Sequence, residues 1–441
     1  MRPRTRGRQA RVRGRGIVAL GVEAVCLGMM SWRGDLLREG RAVEFVCWLM
    51  LAGVAFWAAC RGCRKPGGDE RKESSQPVWG KPAFRLFLVA IVLRAVALPM
   101  APGDDFARYV WEGKIQWSGH NPYIVAPQAE ALQPLRDANW EGMNHKDYRA
   151  IYPPLTQAVF ALCAKWPFGL KLLFVAADLG IVWLLVRRGV PLSRVAWYAW
   201  NPGVIVAFAG GAHYDSLFVL PLVLAVFALV DRRAAASCLW LGVALGLKTV
   251  PVFLLPLWAL VLRKRAGWLG VALAVPLLAS LPYGGPLVVT ESLRQFVYVT
   301  RCNDMVIWLV ELVWPNPEQK NLRWTLLMGF TVLAVTWIFR REPIRATLWV
   351  FGVMLMLSPV VHPWYLIWIL PFAVLRGAWP WAVFAVSGGC GFLLWSSTPF
   401  WNAWEQTGWV RIFMVTPMLF ASFIFLKICK TMEKMLETSL K

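Results

Sequence analysis

Residues 83–100, AFRLFLVAIVLRAVALPM, are followed at once by APGDDFARYVWEGKIQW at 101–117. The first stretch is apolar over a length close to the ~20 residues that cross a bilayer core as a helix. The second puts Asp104, Asp105, Arg108 and several aromatic rings at the lip of that helix. An apolar protein does not need such a polar interruption to stay folded. The loop is therefore the first place to look for chemistry.

Composition extends this reading to the whole chain. The 441 residues are 58% hydrophobic, with mean hydropathy +0.51 and 27 Trp. A soluble domain could not cover so much apolar surface, so the class is an all-α polytopic membrane protein. The many Trp suit amphipathic rings at headgroup level. The formal net charge of +22 resides in short loops between apolar runs, with no separate basic domain. It reads as a topology signal and as contact with anionic headgroups, and it excludes nucleic acid as a partner. Residues 1–16 form a basic cytosolic tail rather than a cleaved signal. The nine cysteines lie mostly in apolar runs, Cys60 and Cys63 have no second pair or nearby histidine, and no structural disulfide is expected.

The expected spans are 17–31, 43–60, 83–100, 169–187, 194–208, 214–230, 236–247, 249–262, 267–282, 323–340, 345–358, 363–375, 380–396 and 409–428, giving about 11–14 transmembrane helices. With these crossings the basic connections fall on one side, which the positive-inside rule assigns to the cytosol. Both termini are then cytosolic. Asp104 to Ala150 and all four histidines (His120, His145, His213, His362) share the outer, periplasmic face of an inner membrane. Within the outer loop, 101–166, Asp105 to Trp117 and Pro153 to Trp166 read as interfacial helices. Residues 17–82 are two additional spans with a cytosolic loop, 83–428 form the main transmembrane region with the outer loop, and 429–441 form a cytosolic tail. No internal repeat is visible.

Each polar group on the outer face has an ordinary and a chemical reading. One of Asp104 and Asp105 can cap the following helix, and the other remains to act as a general base. Lys248 between two short apolar runs is a snorkelling lysine or a phosphate ligand, with helix ends there able to offer N–H donors. His213 and Asp215 follow Gly210-Gly211, and His362 sits between Pro359 and Pro363. Hydrogen bonding to a sugar or phosphate suits them better than metal ligation, which needs a third partner. Arg94 and Asp178, inside spans at similar depth, read as a structural ion pair, and Glu23 and Glu44 as residues facing other helices.

Taken in order, the motifs Asp104-Asp105-x-x-Arg108-Tyr109-x-Trp111-Glu112-Gly113, Gly119-His120-Asn121-Pro122-Tyr123, Ile151-Tyr152-Pro153-Pro154, Asn201-Pro202 with Gly211-Ala212-His213-x-Asp215, Lys248-x-x-Pro251, and Ser358-Pro359-x-x-His362-Pro363-Trp364-Tyr365 resemble the GT-C glycosyltransferases. The nearest match is the bacterial polyprenol-phosphate-mannose-dependent mannosyltransferases, over residues 83 to 376. The resemblance implies transfer of a hexose, mannose first, from a polyprenyl-phosphate donor to a glycan or glycolipid acceptor, with inversion. It gives the base role to Asp105, with Asp104 the close alternative. It gives substrate binding to Arg108, Tyr109, Tyr152, His213, Asp215, Lys248, His362 and Tyr365. Glu112 stands where Asp is expected and Tyr214 where Asn is expected. Neither cofactor nor metal is indicated, since a monophosphate donor lessens the need for a divalent cation. The rival readings are a transporter or flippase of lipid-linked sugars, an oligosaccharide ligase or polymerase, and a membrane scaffold.

Overall fold

The computed structural model describes residues 3–63, 79–316, 321–396 and 408–439. The described residues form helices and no sheet, with one isolated bridge between Cys302 and Val360. By length and composition, six helical stretches among them are able to cross a membrane, and six shorter apolar helices of 10–17 residues accompany them. The protein is an all-α polytopic membrane protein. Its spans are less regular than a hydropathy reading suggests, because proline and glycine divide several of them.

The chain opens with a hairpin, α1 (Pro3–Trp32) and α2 (Ala42–Cys63). It is followed by α3 (Lys81–Ala97) and then by α4 (Asp104–Trp117), which starts one residue earlier than the pattern predicts. Pro99 ends the apolar run, and Gly103 precedes the first turn of α4 without a side-chain cap. The neighbouring α5 (Pro154–Cys163) packs on α4 at Gly113, where a Cβ would meet the Phe160 carbonyl at 2.3 Å. Only glycine permits that approach. Helix α6 (Pro167–Arg187) matches its expected span closely, starting two residues earlier.

The expected span 194–208 is corrected. It is α7 (Leu192–Ala199), a break, the single turn Pro202–Ile205 and a π-helical turn Val206–Gly210. Pro202 lacks the N–H that would continue the helix. Asn201 secures the break, accepting from Gly203 N at 2.9 Å and donating to the Ala382 carbonyl at 3.0 Å. The chain continues through α8 (Ser216–Val230) and α9 (Ala234–Leu247), then α10 (Leu255–Leu262) and α11 (Leu269–Ser280). Arg263, at φ 49°, breaks the path between the last two.

A second correction concerns Tyr283 to Leu322, expected as loop. It contains α12 (Pro286–Val299) and the short helix Met305–Glu311. Next come α13 (Leu322–Phe339), α14 (Pro343–Leu357), a 3₁₀ turn at Pro363–Ile367, α15 (Leu370–Arg376), α16 (Pro380–Ser387) and α17 (Gly408–Ser439). The basic connection Arg61 to Lys81 and the loop Ser396 to Gly408 lie largely outside the described residues.

Inside the bundle Arg94 and Asp178 are paired as desolvation demands, whereas both Glu23 carboxylate oxygens are buried with no hydrogen-bond partner among the described residues. Arg94 Nε donates to Asp178 at 2.6 Å, and its Nη1 reaches the Ala199 carbonyl at 2.6 Å, both residues being fully buried. Glu44 instead lies at the start of α2, bonded to Arg33 and Arg41 near the surface. Glu23 is buried, as expected of a helix-facing residue. Basic connections gather at one end of the bundle: Arg188 bonds Asp231, Arg376 pairs with Glu342, and Gly377 lies against Arg194. The acidic loop is at the other end of α6, whose first turn holds it through Lys171 Nζ donating to the Met100 carbonyl at 2.8 Å.

Candidate active site

At that end a cavity with about 80 Å³ of free space opens beneath the loop. It is lined by Asp105, Arg108, Tyr109, Tyr152, Asp215, Lys248, His362 and Tyr365, so residues 260 positions apart in the chain meet there. Asp104 and His213 line a second, much smaller cavity of about 20 Å³, although His213 Nδ1 also lies 3.7 Å from Asp105. Trp364 lines both.

The two adjacent carboxylates are sorted by their partners. Asp104 is buried, accepting from the Asp105 N–H at 3.0 Å and from Asn144 Nδ2. Those bonds make it a clamp between the first turn of α4 and the 144–149 segment. Asp105 is 23% exposed and only loosely held, with Tyr152 Oη at 3.5 Å and His213 Nδ1 at 3.7 Å. Burial, and then the Asp104 carboxylate, push the Asp105 carboxyl up to about 8, against the pull of Lys248. A loosely held carboxyl with proton affinity near neutrality is suited to accept a proton from a hydroxyl. Asp104 is raised too, by burial, but its hydrogen bonds favour its charged form.

Arg108 belongs to the scaffold. Its guanidinium donates to Glu112 at 2.8 Å, to the His145 carbonyl at 2.9 Å and to the Tyr148 and Arg149 carbonyls. The 144–149 segment is wrapped on these donors, which suits a rigid five-donor fork. Glu112 also accepts from Gln157 on α5, so one ion pair ties the loop to two helices. Tyr109 stacks on Phe160 at 4.5 Å and meets Tyr152 and Tyr214 edge-on, forming the apolar floor. Tyr214, the departure from the expected motif, thus supplies an aromatic wall.

Lys248 follows the last residue of α9 and enters the cavity from the opposite wall. It forms a close ion pair with Asp215 and lies within 4.6–4.8 Å of the Tyr214, Tyr365 and Trp368 ring centroids. Asp215 also accepts from Trp368 Nε1 at 2.7 Å, while its other oxygen, fully buried, has no hydrogen-bond partner among the described residues. Burial lowers the Lys248 ammonium, and Asp215 opposes that shift. Cation–π contacts and a buried carboxylate favour the charged form of the ammonium against that desolvation.

His213 stacks on one face of Trp364 at 3.4 Å and His362 on the other at 4.5 Å. Burial draws His362 down to about 3 and His213 well below its ordinary value, so both imidazoles are neutral. Gly103 and Gly211 make room for the His213 ring, since a Cβ on either would approach its Nε2 within 3.3 Å. Trp364, Asn144, His145, Tyr148, Phe296 and Thr300 also line this region, though the pattern singled out none of them as site residues. Trp364 alone carried a signal, standing inside the His362 motif.

An all-helical membrane bundle with a carboxylate and an ammonium on facing walls of one end cavity has the build expected of GT-C glycosyltransferases. Comparison with known proteins points the same way. The chain is 25% identical, over 385 residues, to alpha-(1->6)-mannopyranosyltransferase A of Mycobacterium tuberculosis, covering 72% of each chain. No family model matches it. Fold and likeness together support a membrane glycosyltransferase, similar in type to GT-C mannosyltransferases.

Proposed function

We propose that the protein transfers a hexose, mannose first, from a polyprenyl-phosphate donor to a glycan or glycolipid acceptor on the outer face of the membrane. The observation that carries this reading is the pairing of Asp105 with Lys248 across one cavity. The similar mycobacterial protein is by its name a mannopyranosyltransferase, which supports the choice of sugar. The gathering of Arg188, Arg194 and Arg376 at the far end supports an outward-facing site, because basic loops stay in the cytosol.

The chemistry is a single displacement. The acceptor oxygen attacks the anomeric carbon while the bond from that carbon to the phosphate oxygen breaks. The bonding pair leaves with the polyprenyl phosphate, and the acceptor proton passes to Asp105. Attack from the face opposite the phosphate inverts the centre and needs one base, not the nucleophile and acid pair of a retaining glycosidase. Lys248 has three N–H donors, of which Asp215 uses one, so it can meet the charge growing on the leaving phosphate. A neutral His362 can donate one N–H beside it. Arg108 holds the loop and thereby the direction of Asp105.

The test is transfer by purified protein from polyprenyl-phosphate mannose, polyprenyl-phosphate glucose and a nucleotide-linked mannose. Transfer from the polyprenyl-phosphate mannose is expected, with Asp105→Asn slower by about 10²–10⁴-fold. Use of the nucleotide sugar alone, or near-normal turnover by folded Asp105→Asn, would reject the proposal.

A further inference from the structure

The single strand-like contact among the described residues joins the segment after α12 to the arm that carries His362. Cys302 N–H donates to the Pro359 carbonyl at 2.9 Å, and Val361 N–H donates to the Cys302 carbonyl at 2.7 Å. An isolated bridge adds little to the stability of a helical bundle. Its effect here is to dock the Cys302 side chain on the His362 ring, with Sγ 3.8 Å from Nδ1. Flanking charges hold the segment in place. Arg301 donates to Asn321 at 2.9 Å and to Glu311 at 2.8 Å, and Arg411 of α17 donates to Asp304 at 3.0 Å. Asn303, at φ 51°, adopts the left-handed conformation that asparagine tolerates, and its amide turns back to donate to Cys302 Sγ at 3.6 Å. Gly391 leaves room for that amide, since a Cβ there would meet Asn303 Nδ2 at 2.9 Å.

The chemistry of the pair decides which group donates. Cys302 is buried, and burial pushes its thiol up while drawing His362 down to about 3. A neutral thiol therefore lies beside a neutral imidazole, unlike the thiolate and imidazolium of a nucleophilic cysteine. The sulfur already accepts from Asn303, and its hydrogen has one acceptor in reach among the described residues, His362 Nδ1. A neutral imidazole carries a single N–H, and the bond made by one nitrogen sets which of the two bears it. With Nδ1 accepting, the proton resides on Nε2. The ring is thus held at its edge by the thiol and across its face by the Trp364 indole at 4.5 Å. It lines the same cavity as Lys248.

We propose that Cys302 is a positioning residue for the transfer: by engaging Nδ1 it sets the His362 tautomer, so that Nε2–H is the group His362 brings to the phosphate of the sugar donor. This rests on the transferase reading above and adds to it which nitrogen acts and what keeps the proton there. It also gives the bridge between the two segments a purpose, because without it the thiol has no fixed place beside the ring.

The experiment uses full-length protein in lipid nanodiscs, isotope-labelled at the histidine nitrogens, and two readouts. With 4 His in the chain, His362→Gln identifies the signal at issue. Nitrogen NMR reads the tautomer, and steady-state transfer from polyprenyl-phosphate mannose gives the KM for the sugar donor. Wild-type His362 is expected as the Nε2–H tautomer. Cys302→Ala should move a measurable share to the Nδ1–H tautomer and raise the sugar-donor KM about fivefold, the worth of one modest hydrogen bond, with the acceptor KM within about twofold. Cys302→Ser, which keeps a hydrogen on the same side-chain atom, should restore both. A Nδ1–H or doubly protonated His362 in the wild type would overturn the assignment, and that measurement needs no variant to fold. An unchanged tautomer or an unchanged sugar-donor KM in folded Cys302→Ala, or a Cys302→Ser as impaired as the alanine variant, would overturn it equally. If the wild type transfers no sugar, the transferase reading fails, while the nitrogen spectrum still decides whether Cys302 sets the tautomer.

Discussion

Replacing Asp104 by Asn should move the pH dependence of turnover in a direction that no scaffold role explains. Asp105 must be ionised to take the acceptor's proton, and its carboxyl is raised from the ordinary 3.8 to about 8. The sign follows directly: activity is present above about 8 and is lost as pH falls through it, about tenfold per pH step below. Burial is the larger cause of the rise and the Asp104 charge the second. Two neighbouring buried carboxylates at an effective dielectric of about 20 repel by a few kcal/mol, equivalent to about two pH steps. Because burial contributes more, that figure is a ceiling, and the acid limb should shift down by roughly one to two pH steps. The Asn side chain can still accept from the Asp105 N–H, so the helix start is retained. The assay is initial transfer at saturating donor and acceptor from about pH 5 to about pH 9, with folding checked by size-exclusion chromatography. A wild-type profile flat from about pH 6 to about pH 9, or a variant whose limb stays put or moves upward, would refute the coupling.

Two further outcomes follow from the same geometry. Lys248→Met should raise the donor KM by about 10–100-fold, the worth of one charge-assisted hydrogen bond, and leave the acceptor KM nearly unchanged. It also strands Asp215 in a buried site, so adding Asp215→Asn should recover thermal stability without recovering donor use; an equal effect on both substrates would reject the phosphate role. In the bundle interior, Arg94→Met alone leaves Asp178 uncompensated and should cost about 3–5 kcal/mol, whereas Arg94→Met with Asp178→Leu should regain most of it. A double variant that melts as early as the single one in detergent would show that the pair is not what matters there.

Hydropathy made the long helices legible, and α6 shows why: apolar residues surround it, so length alone marks it. It misread Asn201-Pro202, where an unbroken apolar run hides a chain break made by one missing N–H and one amide side chain. It passed over α12 because Thr290, Glu291, Ser292 and Arg294 lower its average apolarity. The site divides in the same way. Asp105, Lys248 and His362 carry unusual charge or polarity at span ends, and the fold brings them to one cavity. Arg108 lines the cavity as well, but its bonds to backbone carbonyls 36–41 residues away leave no trace in side-chain pattern. Asp104 and His213 line a second, smaller cavity beside Trp364, with His213 still 3.7 Å from Asp105. Local sequence cannot register that difference.

The indole of Trp364, clasped by an imidazole on each face, has no room to swing. It behaves as a fixed wall of the site instead of a gate, so a simple rotamer change could not reshape that side. An enzyme built this way would enforce handedness through masonry. Its product stereochemistry should survive many substitutions that cripple its speed.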